Sequence, residues 1–402
     1  MELSAISRRG LVAVMTLLAA SIIVVATGML PWDQFLGLMT RVVPVLGFVM
    51  AITVVTELAA TAGVFAALVE RLAQWGLAKR WILWLFVLAL ATVSTIFLSL
   101  DTTAVLVTPV VVLLAIHVGM PPMPFALATI WLANTASLLL PVSNLTNLLA
   151  ESRMTSEGAD GPAAFAALVW APALVGILVP MVVLSFMFRR ALRGSYGAAP
   201  RSPIADKPLL VISAVVLVAL LPFLVSGMPV WIPATGAAVV LIAVFAVRQR
   251  VAVSGLAGLG LMPWRPVAIA MGLFVLVDAA QVNGLSTLVG TVAGSGADFV
   301  SLLQLAALGT VAANGINNLP AYLVLEPLGT SSIRLAALLI GVNLGPLITP
   351  WASLATLLWY QKVAALGVRV SWVKFALAGV VVVLLTVPLA TLALWVAAHA
   401  PR

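Results

Sequence analysis

Eleven apolar runs, at about 11–30, 41–73, 81–119, 122–150, 163–188, 208–225, 229–247, 265–290, 298–328, 332–366 and 373–398, take up most of this 402-residue chain. Each is long enough to be a membrane span, which needs roughly twenty apolar residues. With 63% hydrophobic and only 8% charged side chains, the chain has too few charges to cover a soluble fold. A soluble enzyme, a nucleic-acid binder and a single-span receptor are excluded. The chain has no cysteine, so thiolate metal sites and cysteine nucleophiles are excluded as well. No phosphate-binding Gly-x-x-x-x-Gly-Lys run is present, which argues against ATP hydrolysis by this chain. The sequence implies no metal or cofactor and no enzymatic chemistry.

Two of the runs are long but polar in the middle. The run 81–119 holds Ser94, Thr95, Ser99, Asp101, Thr102 and Thr103, and 298–328 holds Asn314, Asn317, Asn318 and Pro320. Non-helical backbone at membrane depth survives only where it is buried in protein or lines a wet cavity. Both runs therefore read as re-entrant hairpins, with tips near 101 and 317, and Gly315 and Pro320 are expected to permit the second turn. The remaining nine runs cross. With a cytoplasmic N-terminus, sixteen of the twenty Lys and Arg then lie inside, and Arg41, Arg153, Arg334 and Arg402 outside. The hairpins open from opposite faces, an inverted arrangement.

A repeat in the sequence supports the inversion. Asn134, Pro141, Asn144-Leu145 and Asn147-Leu148 recur 209 residues later as Asn343, Pro350, Ser353-Leu354 and Thr356-Leu357. Looser echoes pair Asp101-Thr102-Thr103-Ala104 with Asn318-Leu319-Pro320-Ala321, and Glu57 and Gly63 with Asp278 and Gly284. The expected fold is an all-α polytopic membrane protein of two inverted repeats with re-entrant hairpins and broken transmembrane helices. The first repeat spans 1–190, with its broken helix at 122–150. A cytoplasmic linker and connecting helix span 191–228. The second repeat spans 229–402, with its broken helix at 332–366.

Inverted repeats with interrupted helices are how many secondary transporters build a site near the bilayer midplane. The candidate solute-binding residues are Thr102, Thr103, Asn134, Ser137, Ser143, Asn144, Asn147, Asn317, Asn318, Asn343, Thr349, Ser353 and Thr356. Such residues often only join helices, but clusters repeating in register point to a site. Intramembrane carboxyls are functional by default. Asp101, Glu57 and Asp278 are the candidates for proton or cation coupling, and Glu326 lies nearer the exterior. None has an arginine or lysine close to it in sequence.

Four motifs together resemble the ArsB-type arsenite and antimonite efflux permeases of the ion transporter superfamily. They are Phe97 to Pro109, Ala133 to Ser137 with Ser143 to Asn147, Asn317 to Pro320, and Leu344 to Pro350 with Ser353 to Trp359. The resemblance implies proton-coupled export, a homodimer in the inner membrane and, in some members, a cytoplasmic ATPase subunit. It departs at Leu100, where members often carry Asn, and at Asn134 and Asn343, where they often carry Asp. Without thiolates the transported form is expected to be the neutral trihydroxy species, held by Asn, Ser and Thr. Citrate or dicarboxylate transport and sodium/proton exchange on the same scaffold are the alternatives.

Overall fold

A computed structural model describes residues 2–156, 161–197, 206–249, 263–285, 287 and 296–400. Of the charges used above, Arg201, Arg250 and Arg402 lie outside the described residues, as does the end of the run 265–290. The described chain folds into sixteen α-helices, with short 3-10 turns at Ala136–Leu138, Pro141–Ser143 and Glu326–Leu328, a π-helical turn at Gln281–Leu285, and no strand among the described residues. The first half holds α1 (Glu2–Ala26), α2 (Trp32–Thr61), α3 (Val64–Trp75), α4 (Arg80–Leu98), α5 (Leu100–His117), α6 (Pro122–Thr135), α7 (Leu145–Ser156) and α8 (Gly161–Met187). Then follow α9 (Lys207–Leu224), α10 (Trp231–Gln249), α11 (Trp264–Ala280), α12 (Phe299–Ile316), α13 (Asn318–Leu325), α14 (Ser332–Leu344), α15 (Leu354–Ala365) and α16 (Trp372–His399). Nine described helices are long and apolar enough to span. They are not the nine expected crossings: limbs of both hairpins qualify by length, and the broken helices do not.

The run 41–73 is two helices and not one. Gly63, at φ 85°, takes a left-handed conformation that ends α2 and turns the chain into the short α3. Gly284, at φ 103°, makes the same turn after α11, so the Gly63–Gly284 echo is a conformational match. Both hairpins turn on a residue other than glycine, two residues before 101 in the first and at 317 in the second. The first turns at Ser99 (φ 129°) and the second at Asn317 (φ 102°), while Gly315 stays inside α12. A short polar side chain tolerates positive φ when it bonds locally: Ser99 Oγ accepts from Thr102 N and Asn317 Oδ1 from Leu319 N. Aligning the two turns pairs Asp101 with Leu319, one residue away from the sequence echo.

The two broken helices match more closely. Asn144 (φ −151°, ψ 142°) and Ser353 (φ −141°, ψ 136°) both hold extended backbone just before α7 and α15. Packing follows the pattern of a twofold relation. α1 lies along α11 and α10 along α2; α15 packs on α5 and α6, and α7 on α13 and α14; α8 pairs with α16. Trp359 of α15 donates its Nε1 hydrogen to Ala126 O of α6 at 2.8 Å, fixing one of these crossings. At another, Gly341 of α14 lies against Ala306 O and Gly309 of α12, and the helices approach that closely only because both positions lack side chains.

Within each half, hairpin and break are stitched together. Ser143 Oγ donates to Ile96 O at 2.7 Å. In the second half Asn314 Nδ2 donates to Gly345 O at 2.8 Å, and Asn314 Oδ1 accepts from Ile348 N and Thr349 N at 3.2 and 3.1 Å. Asn317 Nδ2 donates to Trp351 O at 2.9 Å. These bonds satisfy backbone groups that the interrupted helices would leave bare inside a membrane.

Candidate functional site

Four helices, α5, α7, α13 and α15, begin at one place. Their first flanking residues, Ser99, Asn144, Asn317 and Ser353, all line a cavity of about 420 Å3, with Asp101 and Asn318 beside them. The positive dipole ends of four helices therefore converge on it, with free first-turn amides at α5, α7 and α15; at α13 the amides of Asn318 and Leu319 are already bonded and residue 320 is proline. The opposite wall is apolar, built from residues such as Leu46, Val49 and Ile52 of α2 and Val267, Ala270 and Leu273 of α11. The turns at Ser99 and Asn317 end one limb and start the next, which is how an apolar sequence comes to present polar groups at this depth.

Asp101 sits in the first turn of α5 and is the one ionisable side chain among the described residues that line the cavity; no Lys or Arg lines it. Its carboxyl is accessible from the cavity and makes no hydrogen bond or ion pair among the described residues. Ser353 Oγ, in contrast, is fully buried and has no protein partner. A buried hydroxyl without a partner, on a residue that borders a cavity, is a hydrogen-bonding group that the protein itself leaves unsatisfied.

Behind the cavity lies a buried amide layer joining the two halves. Asn144 Nδ2 donates to Asn343 Oδ1 at 3.1 Å, Thr146 Oγ1 donates to the same oxygen at 2.8 Å, and Asn343 Nδ2 donates to Asn147 Oδ1 at 2.7 Å. Asn147 Nδ2 in turn donates to Ser137 O and Leu140 O at 2.6 and 3.0 Å. Ser137 Oγ donates to Asn134 O at 2.7 Å, and Asn134 Nδ2 to Ile130 O at 3.0 Å.

Of the residues the sequence singled out, Asp101, Asn144, Asn317, Asn318 and Ser353 meet at the cavity. Asn134, Ser137, Asn147 and Asn343 form the layer behind it. Thr102 bonds Ser99 Oγ at 3.1 Å, Thr103 accepts from Thr95 Oγ1 at 2.9 Å, and Thr349 donates to Asn314 O at 2.8 Å. Ser143 is committed to Ile96, and Thr356 Oγ1 is buried without a partner away from the cavity. Glu57 and Asp278 lie elsewhere. Glu57 feels Lys362 of α15, and Asp278 shares a small void with Arg41 and Glu326. The expectation of carboxyls without cations thus holds in sequence only: Arg41 pairs with Glu326, 285 residues away. Sequence reading missed Ser99, Thr146 and Asn314 as members of these networks; each stands within three residues of a singled-out Asn, Thr or Asp.

The comparisons agree with this architecture. The chain is 28% identical over 367 residues to an arsenical pump membrane protein of Yersinia enterocolitica, covering 86% of this chain and 85% of that one. It is 27% identical to one of Escherichia coli with the same coverage, and 24% identical over 346 residues to a 46 kDa membrane protein of Mycobacterium leprae, covering 78% and 76%. A crystal structure of the YdaH transporter of Alcanivorax borkumensis superposes with a TM-score of 0.56 at 15% identity, over 96% of this chain and 97% of that one. The CitMHS citrate transporter family matches residues 3–332, and the chain, a multi-pass membrane transporter, belongs to that family.

Proposed function

We propose that the protein exports arsenite and antimonite as neutral trihydroxy species in exchange for protons. The observation that carries this reading is a cavity with four helix N-termini, uncharged hydrogen-bonding side chains and a single carboxyl, Asp101, but no basic side chain. A solute with three hydroxyls can donate to Asp101 and the side-chain oxygens of Asn317 and Asn318, and accept from Ser353 Oγ and the free amides. An anion with several carboxylates would meet Asp101 as a like charge. The curated relatives named as arsenical pumps support the substrate class.

In this reading Asp101 alternates between binding a proton and binding solute. Glu57 and Asp278 lie outside the cavity and serve coupling only indirectly. The hairpins and breaks, tied together through Asn343, move as one body against α1, α2, α10 and α11, in an elevator-type alternation of access. The two inverted repeats meet across the 191–228 linker, the N-terminus is cytoplasmic, and the protein works as a homodimer in the inner membrane, with or without an ATPase subunit.

A second reading has its own support. Four converging helix N-termini favour negative charge, and the family name is that of citrate transporters. Flux measured in everted vesicles under an imposed proton gradient, with arsenite, antimonite, citrate and sodium offered separately, separates the readings. Proton-driven arsenite uptake is expected. Citrate uptake with no arsenite flux would reverse the order of the two.

A further inference from the structure

One polar cluster bridges the body that holds the cavity and the helices flanking it. Arg41 of α2 donates from Nε to Ser152 Oγ at 3.2 Å, from Nη2 to Leu149 O at 3.1 Å and from Nη1 to Glu326 Oε2 at 3.3 Å, and Nη2 also pairs with Glu326 Oε1. Gln281, just past α11, donates to Leu323 O at 2.6 Å. Leu149 and Ser152 belong to α7, Leu323 to α13, and Glu326 to the turn that follows α13. Two flanking helices thus reach across to one broken helix and one hairpin.

The cluster lies beyond one end of the cavity. The α2 residues lining the cavity begin at Leu46, and the α11 residues end at Leu273. Arg41 precedes the first and Asp278 follows the second by five residues each, about 7 Å along a helix. There Arg41, Asp278, Gln281 and Glu326 line a void of about 20 Å3, enough for roughly one water. Arg41 and its partners thus stand at this end, one helical turn or more beyond the cavity lining.

Glu326 is buried while Arg41 is 31% exposed, so the carboxylate is the member that cannot be left without a partner when the pair separates, because a lone buried charge is strongly disfavoured. The structure supplies a fallback for both members. Asp278 shares the flanking wall with Arg41. Glu326 keeps Tyr322, whose hydroxyl donates to it at 3.0 Å, and Arg153 of α7, which donates to the Glu326 carbonyl at 3.4 Å. Both of those partners travel with the hairpin-and-break body.

We propose that Arg41 is the latch of the transport cycle: paired with Glu326 it closes this end of the cavity, and the end opens when Glu326 moves away and Arg41 passes to Asp278. Asp278 is then a positioning residue that receives Arg41, and not a group that touches the solute. The proposal rests on the alternating-access part of the reading above and is independent of which solute is carried.

The absence of native cysteine allows a direct test. Thr53→Cys places a thiol on the cavity wall and Asp33→Cys marks the face nearest Arg41. A membrane-impermeant maleimide is applied to intact cells and to everted vesicles. In the Thr53→Cys protein, labelling is expected mainly from the face opposite Asp33. Adding Glu326→Gln should raise labelling from the Arg41 face severalfold. Adding Asp278→Asn should lower labelling from that face during turnover severalfold below the Thr53→Cys protein. Should Glu326→Gln fail to fold, Leu38→Cys with Leu323→Cys, both lining the small void, is bridged by a short reducible cross-linker; flux should stop and return on reduction. Unchanged labelling in folded Glu326→Gln, or full flux in the bridged protein, overturns the latch. Equal labelling of Thr53→Cys from both faces in every variant would instead remove alternating access itself.

Discussion

Asn144 and Asn343, 199 residues apart, share a hydrogen bond of 3.1 Å in the buried layer behind the cavity, and through it the two halves of the chain are joined at their broken helices. Asn144 also belongs to the cavity wall, so the same side chain links the site to the joint.

That arrangement separates a structural residue from a binding one. Asn343→Ala strips partners from Asn144, Thr146 and Asn147 at once, and each buried polar group left unpaired costs about 1–3 kcal/mol. Loss of folded protein, or a clear fall in melting temperature in detergent, is expected. Ser353→Ala removes a hydroxyl that has no protein partner, so the melting temperature should hold while half-saturation for arsenite rises. The loss of about 1–2 kcal/mol per solute hydrogen bond corresponds to roughly five- to thirtyfold. Unchanged half-saturation at matched expression would take Ser353 out of the site.

Asp101→Asn keeps the size of the side chain and its capacity to hydrogen-bond while removing its ability to exchange a proton. The residue is accessible from the cavity and has no ion pair to lose, so folding should be preserved. Proton-driven uptake in everted vesicles is expected to collapse, while solute exchange without a gradient persists. Full gradient-driven uptake by this variant would assign coupling to another group.

Much of this was legible in the sequence because bilayers impose blunt rules. Polar residues in the middle of runs too long for one crossing located both hairpins, and a repeat with a fixed offset of 209 residues paired Asn144 with Ser353 before any backbone was known. What stayed hidden depends on tertiary packing. Nothing local distinguishes Asn144, which faces the cavity, from Asn147 three residues on, which points into the protein. Nor does sequence show that Arg41 and Glu326, 285 residues apart, meet. Gly315 does not make the second turn, although glycine is the usual residue of positive φ; at Asn317 a side chain that bonds its own backbone does that task.

Glycine instead matters where helices touch. A Cβ at Gly341 would collide with the Ala306 carbonyl and lie 3.0 Å from Gly309 Cα, so α12 and α14 would have to separate. Gly341→Ala should cost about 1–3 kcal/mol or more by overpacking. Gly315→Ala, with open space around its would-be Cβ inside α12, should be neutral or stabilising by about 0.5–1 kcal/mol. Melting curves of the two purified variants check the pair, and equal behaviour would show that the close approach at Gly341 is not required.

The orientation of the chain can be tested against both charge and geometry. If the N-terminus is cytoplasmic, sixteen of the twenty Lys and Arg lie on the cytoplasmic side, as the positive-inside rule expects. Geometry adds a constraint that does not depend on charge. Arg80 N donates to Gly194 O at 3.2 Å and Arg80 Nε to Ser195 O at 2.9 Å, so the loop before α4 and the loop after α8 sit on one face, with Lys79, Arg80, Arg189, Arg190 and Arg193 among them. A topology reporter fused after Gly194 should therefore read cytoplasmic, one after Gly367 should agree with it, and one after Gly28 should read exterior. If Gly194 and Gly367 both read exterior and Gly28 cytoplasmic, the positive-inside assignment is reversed while the fold stands. If Gly194 and Gly367 disagree, the number of crossings between α8 and α16 is wrong, and with it the inversion of the two repeats.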